Sequence, residues 1–223
     1  MGQTLLRLAA ERDDLRVVSA VAPPTADAGL LGQPFHPVAD LENAPDFDVA
    51  IDFSLPAAFD AILSLCAQRG AAFVSGTTGL AAQQQRALQA AARFVPVLWS
   101  ANFSLGVAVL DDLVERAAAA LKAWDCDIVE AHHTRKLDAP SGTALALGAA
   151  AQRGGADPRY ASLRAGDIVG EHLVQFAGPG ERIELIHRAT SRDIFARGAL
   201  HAASALPGRA AGSYRLRDLL GNV

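Results

Sequence analysis

A chain of 223 residues, 51% hydrophobic and 20% charged, can bury a substantial core and is too apolar for intrinsic disorder, so one large folded domain or two small ones are expected. A formal net charge of −4 and a pI near 5.8 exclude general attraction to nucleic acid or an anionic membrane, so any anion must be bound at a local site. Two cysteines, Cys66 and Cys126, in apolar surroundings without C-x-x-C spacing argue against a disulfide framework or zinc ribbon, and with no leader pattern or membrane-length apolar run read in the sequence, a cytoplasmic protein is expected.

Thr4 to Arg12 reads as a helix that begins almost at the first residue. Leu15 to Ala22 follows as a strand stopped by Pro23-Pro24, and the Pro-, Gly- and Asp-rich segment to His36 reads as a loop. Phe47 to Phe53 is the next strand. Ser54 is the expected N-cap of a helix through Cys66 that Gly70 ends. Ala71 to Ser75 is a strand followed at once by Gly76-Thr77-Thr78-Gly79 and a helix from Ala81 to Phe94. Val95 to Ser100 is a strand running into Ala101-Asn102-Phe103-Ser104, and a long amphipathic helix extends to Lys122.

Strands alternating with helices imply βαβ units, right-handed crossovers and a parallel sheet. Ligands of such sheets lie beyond the carboxyl ends of the strands. The loops Gly76 to Gly79 and Ser100 to Phe103 therefore fall where a dinucleotide would lie, although each taken alone reads sooner as a tight βα turn.

Cys126 to Ala131 has the character of a strand and Thr143 to Arg153 that of a helix, which makes Glu130 to Ala144, EAHHTRKLDAPSGTA, a single strand-to-helix loop. The first N–H groups of a helix lack intrahelical partners and, with the helix dipole, favour an anion. Ser141 and Thr143 add hydroxyls at that end, Lys136 supplies a charge or a proton, and His132 and His133 can exchange protons near neutral pH. Singly, Ser141 reads as an N-cap, Pro140 as a turn former and Lys136 as a solvated side chain. Together they point to a carboxylate pocket beside an acid. No metal is expected, because adjacent strand residues face opposite sides of a sheet and no third and fourth ligand follows at metal-like spacing.

Beyond Arg153, Tyr160 to Arg164, Asp167 to Ala177 and Glu181 to Ala189 are strands without intervening helices, which implies a mixed or antiparallel sheet. Ser191-Arg192-Asp193 introduces a helix that Pro207-Gly208 ends, before a short tail from Tyr214 to Leu220. His172, His187, His201, Trp99, Trp124 and Arg192 read as packing or surface residues.

The segments Ile51-Asp52-Phe53-Ser54, Gly76-Thr77-Thr78-Gly79, Ala101-Asn102-Phe103-Ser104, Glu130 to Ala144 and Arg164 to His172 (RAGDIVGEH), in this order over almost the whole chain, resemble the 4-hydroxy-tetrahydrodipicolinate (dihydrodipicolinate) reductase family. These are pyridine-nucleotide enzymes of the diaminopimelate route to lysine. The resemblance implies an α/β fold with a Rossmann-like parallel sheet, its first strand missing from this chain, over residues 1–103 and 205–223. It implies an α+β substrate-binding and oligomerisation domain with a mixed sheet over residues 104–204, and a homotetramer. The implied cofactor is NADPH or NADH, held by Gly76, Thr77, Thr78, Ser100, Ala101, Asn102 and Phe103. The family's catalytic histidine falls on His132 and its proton-donating lysine on Lys136; contacts to a small dicarboxylate substrate fall on His133, Gly142 and Thr143. Hydride added to an unsaturated cyclic imine leaves electron density that collects a proton elsewhere, and Lys136, assisted by His132, is the expected donor.

The chain departs from the family's pattern in three places. The family begins with a strand and Gly-x-x-Gly-Arg-Met-Gly, of which Met1-Gly2 would be the last two residues. That strand is central in the Rossmann order, so two neighbouring strands are expected to lack ladder partners. A start assigned too late or a truncation is the expectation, and a chain extended upstream is expected to bind NADPH more tightly and melt higher. Ala22-Pro23-Pro24 stands where an acidic residue would accept the ribose hydroxyls of NADH, with Asp27 several residues later, which leaves both nucleotides open. The segment between the Thr143 helix and Arg164 is short for the family and is expected to trim the oligomer-forming sheet. Two other readings stand beside this one: a noncatalytic homologue that only folds and oligomerises, and another two-domain NAD(P)-dependent dehydrogenase.

Overall fold

The computed structural model describes residues 1–22 and 35–221; the Pro23-Pro24 stop and Asp27 lie outside them. The chain forms two compact units, Met1–Phe103 with Phe195–Val223, and Ser104–Ile194. In order, the first contains α1 (Gly2–Ala9), β1 (Ala20–Ala22), β2 (Phe35–Pro37), β3 (Val49–Asp52), α2 (Pro56–Arg69), β4 (Ala72–Ser75), α3 (Ala82–Ala91) and β5 (Pro96–Trp99). The second contains α4 (Leu105–Ala120), β6 (Asp125–His132), α5 (Gly142–Arg153), β7 (Pro158–Arg164), β8 (Gly170–Gly178) and β9 (Glu181–Ala189). The chain then continues through α6 (Asp193–Ala205) and β10 (Gly212–Tyr214).

The first unit is built on an all-parallel four-stranded sheet in the order β10-β5-β4-β3. Every residue of β4 is buried, as expected for an inner parallel strand covered on both faces. Phe59, Ile62 and Cys66 of α2 pack with Phe73, Leu88 and Val97. Gly70 ends α2 at φ +67°, a left-handed cap that suits glycine. Ser54 does not cap this helix. Leu55 holds the cap position, because the Ser54 N–H and hydroxyl both turn back to Asp52 Oδ1, at 2.9 and 2.5 Å.

Of the strand expected from Leu15 to Ala22, only β1 forms a ladder, and its partner is β2, which falls in the segment read as a loop. Among the described residues this two-stranded pair is separate from the four-stranded sheet, which ends at β3. Extended backbone becomes strand only where a neighbour supplies ladder hydrogen bonds, and residues 15–19 have none among the described residues.

Helix α6 packs in the first unit from Phe195 onward, ten residues earlier than the return expected at residue 205. Its buried face is made of Ala196, Gly198, Ala199, Ala202 and Ala203, small residues that let the helix backbone come close to its support. At Gly198 a Cβ would overlap the Phe103 carbonyl oxygen. Backbone cannot swing aside as a side chain can, so Gly198→Ala is expected to destabilise the first unit by about 3 kcal/mol, the upper end for overpacking. Chemical denaturation of the two proteins checks this.

In the second unit the sheet order is β7-β6-β8-β9. Strand β7 runs parallel to β6, whereas β8 and β9 are antiparallel, so the sheet is mixed. Burial alternates along β6, placing Cys126, Ile128, Glu130 and His132 on one face. Cys126 and Ile128 join Leu110, Val114, Leu147, Val174 and Phe176 in the core beneath α4 and α5. Glu130 and His132 continue the same column and begin the site. On the opposite face, strand register aligns Ala161, Val129, Leu173 and Ile186 in one apolar row, and Leu163 beside it is 57% exposed.

Candidate active site

The Glu130–Ala144 loop is organised around a carboxylate. Glu130 is only 1% exposed, in a strand whose inward residues before it, Cys126 and Ile128, are apolar. The Arg164 guanidinium meets it as a two-pronged fork, Nη1 donating to Oε2 at 2.9 Å and Nη2 to Oε1 at 2.8 Å. The Ser141 N–H donates to Oε1 at 3.2 Å, and His132 Nδ1 lies 2.5 Å from Oε2. Burial opposes ionisation of Glu130, but hydrogen bonds from Arg164, Ser162 and His132 and the Arg164 charge outweigh it and hold the carboxyl at about 2. An ionised carboxylate only accepts, so Nδ1 of His132 is the donor and carries the proton. Nε2 then points past Gly170, where a side-chain Cβ would lie 3.1 Å from it.

The same arginine reaches the loop backbone: Arg164 Nε donates to the Lys136 carbonyl at 3.2 Å and Nη2 to the Asp138 carbonyl at 2.5 Å. Lys136 Nζ donates to both Asp138 carboxylate oxygens at 2.8 Å. Ser141 is the N-cap of α5, its Oγ accepting the Ala144 N–H at 3.1 Å. Gly142 is the exposed first helical residue, with open space where a side chain would be, and Thr143 follows it. His133 is half-buried; burial, then the positive charges of Arg135 and Arg192, lower its pKa and favour the neutral ring. Its Nδ1 is buried without a hydrogen-bond partner among the described residues. His132, Lys136, Gly142 and Thr143 are thus brought to one strand end and helix start through the Glu130–Arg164 pair.

The sequence reading missed three residues here: Glu130, Arg164 and His172. For Glu130 the signal is a charged residue inside an apolar strand, which when buried demands a partner; Arg164, at the end of the mostly exposed β7, and His172 carry no such local signal. His172 pairs with Glu130 across β6 and β8, its Nε2 lies 3.1 Å from Ser141 Oγ, and its ring sits edge-on to His132 with centroids 5.2 Å apart. Its cross-strand neighbour His187 places Nε2 3.2 Å from Ser104 Oγ, the N-cap of α4. Each helix start is therefore docked on the sheet by a histidine.

Burial and the nearby His132 push His172 from 6.5 down to about 4. The unfolded chain binds the proton first, so stability from this group is complete above about pH 6.5 and is lost as pH falls to about 4. The loss is on the order of 3 kcal/mol. Denaturation midpoints measured over that window are expected to fall in the parent and to flatten in His172→Gln.

In the first unit the hub is Asp52, also missed. It is buried at the end of β3 and accepts from Ser54, from Ser75 Oγ at 2.9 Å and from Thr77 Oγ1 at 2.8 Å. Trp99 Nε1 donates to the Thr77 carbonyl at 2.8 Å, and the Ser100 N–H donates to the Ser75 carbonyl at 3.0 Å. Ser100 Oγ donates to the Asn102 carbonyl at 2.7 Å. Phe53 and Phe103 stack tilted with centroids 5.2 Å apart, and a side chain at Gly76 would collide with the Phe53 ring. The strand-end loops Gly76 to Gly79 and Ser100 to Phe103 are thus cross-linked, with the Thr77 and Ser100 hydroxyls turned inward. Thr78, Gly79 and Ala101 are exposed. Exposed small residues and backbone at parallel strand ends fit a nucleotide that approaches along them.

Among known families, the one described as dihydrodipicolinate reductase, N-terminus, matches residues 1–103, and dihydrodipicolinate reductase, C-terminus, matches residues 106–220. The chain is 69% identical over 224 aligned residues to the 4-hydroxy-tetrahydrodipicolinate reductase of Stenotrophomonas maltophilia (strain R551-3), covering 99% of this chain and 93% of that protein. It is 58% identical over 221 residues to the enzyme of that name from Xylella fastidiosa (strain 9a5c), with the same coverage. Among solved structures, dipicolinate-bound dihydrodipicolinate reductase from Paenisporosarcina sp. TG-14 superposes with a TM-score of 0.77 at 20% identity, over 98% of this chain and 95% of that one. The DAP dehydrogenase of C. glutamicum shares the fold more distantly, with a TM-score of 0.60 at 14% identity over 99% of this chain and 92% of that one. With the parallel Rossmann-like sheet, the mixed sheet and both family matches together, the chain belongs to the dihydrodipicolinate reductase family.

Proposed function

We propose that this chain reduces 4-hydroxy-tetrahydrodipicolinate to tetrahydrodipicolinate with NADPH or NADH, the diaminopimelate-route reaction named for its relatives. The observation that carries the reading is the Glu130–Ala144 loop, in which His132, the start of α5 and, through Arg164, the backbone of Lys136 hang on one buried carboxylate. A reduced pyridine nucleotide held at Gly76, Thr77, Thr78, Ser100, Ala101, Asn102 and Phe103 supplies the hydride. Within that set, Thr77 acts by shaping the loop through Asp52, while Thr78 and Ala101 offer exposed contact.

On the second unit, Gly142 and Thr143 at the start of α5 receive one substrate carboxylate, where helix N–H groups and dipole favour an anion. Neutral His133 hydrogen-bonds the dicarboxylate, and a solved relative carries dipicolinate, a compound of that class. Lys136 Nζ gives the proton, with His132 assisting. The Lys136–Asp138 ion pair is largely open to solvent on the Asp138 side, and such pairs contribute little, so an arriving dianion can displace Asp138. The apolar row of the uncovered sheet face supports assembly into a homotetramer through that face, and sedimentation velocity is expected to show four-chain particles.

Calorimetry separates this reading from its rivals. Titration with NADPH or NADH and then with dipicolinate is expected to show binding of both ligand classes. Absence of nucleotide binding would favour a noncatalytic homologue, and nucleotide binding without dicarboxylate binding would favour another two-domain dehydrogenase.

A further inference from the structure

Glu130 and Arg164 have no free valence to spend on a substrate. Both oxygens of Glu130 are occupied: Oε1 by Arg164 Nη2 and the Ser141 N–H, Oε2 by Arg164 Nη1 and His132 Nδ1. Arg164 distributes its remaining donor capacity over the carbonyls of Lys136, Asp138 and Leu163. Every one of these partners is a piece of the loop or of the strands that hold it. A buried ion pair is a poor route to stability alone, since apolar residues of similar volume often do as well. What the pair does that an apolar pair cannot is impose direction: a carboxylate dictates which ring nitrogen of a histidine carries the proton, and a planar fork fixes two carbonyls at once.

We infer that Glu130 and Arg164 are positioning residues, Glu130 holding His132 with its proton on Nδ1 and Arg164 setting the backbone of the segment that carries Lys136. The inference deepens the reductase reading and rests on it for its kinetic consequence, but its structural half stands alone. The pair connects three things that must agree in place: the histidine on β6, the lysine in the loop and the N-cap of α5. Because Ser141 N–H and His132 Nδ1 lie on opposite oxygens of one carboxylate, rotation of the Glu130 side chain would disturb both together.

The test combines the ring-nitrogen NMR signals of ¹⁵N-histidine-labelled protein with steady-state kinetics of the full chain. In the parent, His132 is expected to show Nδ1 as the protonated nitrogen. In Glu130→Gln, whose amide can donate as well as accept, Nε2-protonated ring should appear, with kcat lowered on the order of tenfold to a hundredfold and KM for the dicarboxylate changed less than about threefold. Arg164→Lys keeps the charge without the fork and should lower kcat about tenfold while leaving the His132 tautomer in place.

If Glu130→Gln does not fold, the tautomer is read instead in Glu130→Asp, whose shorter carboxylate should lose the Nδ1 proton assignment in part. Retention of the Nδ1 proton and of parent kcat in the Glu130 variants would overturn the inference. A parent that oxidises no nicotinamide would instead sink the reductase reading, while the NMR result would still decide whether Glu130 sets the His132 tautomer.

Discussion

Lys136→Ala is expected to lower kcat on the order of a hundredfold to ten-thousandfold, the usual contribution of a positioned proton donor, with a much smaller change in KM for the dicarboxylate. The reason lies in how the loop divides its work. Lys136 is fastened by its backbone, through its N–H to the His133 carbonyl at 3.1 Å and its carbonyl to Arg164, so truncation at Cβ leaves the fold of the loop intact. What is lost is the side chain beyond Cβ, with Nζ and its pairing to Asp138. The α5 start, proposed above to receive the carboxylate, is held separately by Ser141 and Glu130. Lys136→Arg is not expected to restore turnover, because a guanidinium keeps its proton at any working pH. Steady-state kinetics with saturating nucleotide separates kcat from KM, and an equal rise in KM with unchanged kcat would reassign Lys136 to binding alone.

The second large effect is on stability. Arg164→Ala removes the fork from a carboxylate that is almost fully buried, and breaking one side of a buried pair costs about 3–5 kcal/mol because the remaining charge is uncompensated. The cost depends on pH in a definite direction. In the parent, Glu130 is depressed from 4.5 to about 2, so its contribution is complete above about pH 4.5 and is lost as pH falls through about 2. In the variant the carboxyl has lost its main support and takes up a proton more readily. The difference in unfolding free energy between the two proteins is therefore expected to be largest near neutral pH and to shrink below about pH 4.5. Denaturant titrations at both ends of that range check it, and a pH-independent difference would place the loss in packing instead of charge.

What could be read from the chain follows the range of the physics involved. The alternation of apolar strands and helices is local, and β3, β4, β5 and β6 fall inside or within a residue of their expected spans. The loop from Glu130 to Ala144 was legible because its chemistry is packed into consecutive residues. The partners of buried charges were not. Arg164 is 34 residues from Glu130 and Thr77 is 25 from Asp52, and periodicity tells which face a side chain takes, not what it meets there. His172 was read as a packing residue for the same reason: its link to Ser141 spans 31 residues.

Where local signals competed, the tertiary partner won. Ser54 has the chemistry of a helix cap, but Asp52, two residues before it, takes its hydroxyl. Leu15 to Ser19 has strand composition, yet without a ladder partner among the described residues it stays irregular.

Whether the loop hung on Glu130 completes a nicotinamide-dependent reduction is decided by following nicotinamide absorbance when 4-hydroxy-tetrahydrodipicolinate, freshly generated, is added to this chain with NADPH or NADH. Oxidation of the nucleotide is expected to require the substrate, to be proportional to enzyme and to fall in Lys136→Ala. Nucleotide and dipicolinate that both bind while no substrate-dependent oxidation occurs, or oxidation that Lys136→Ala leaves unchanged, would contradict that role for the loop.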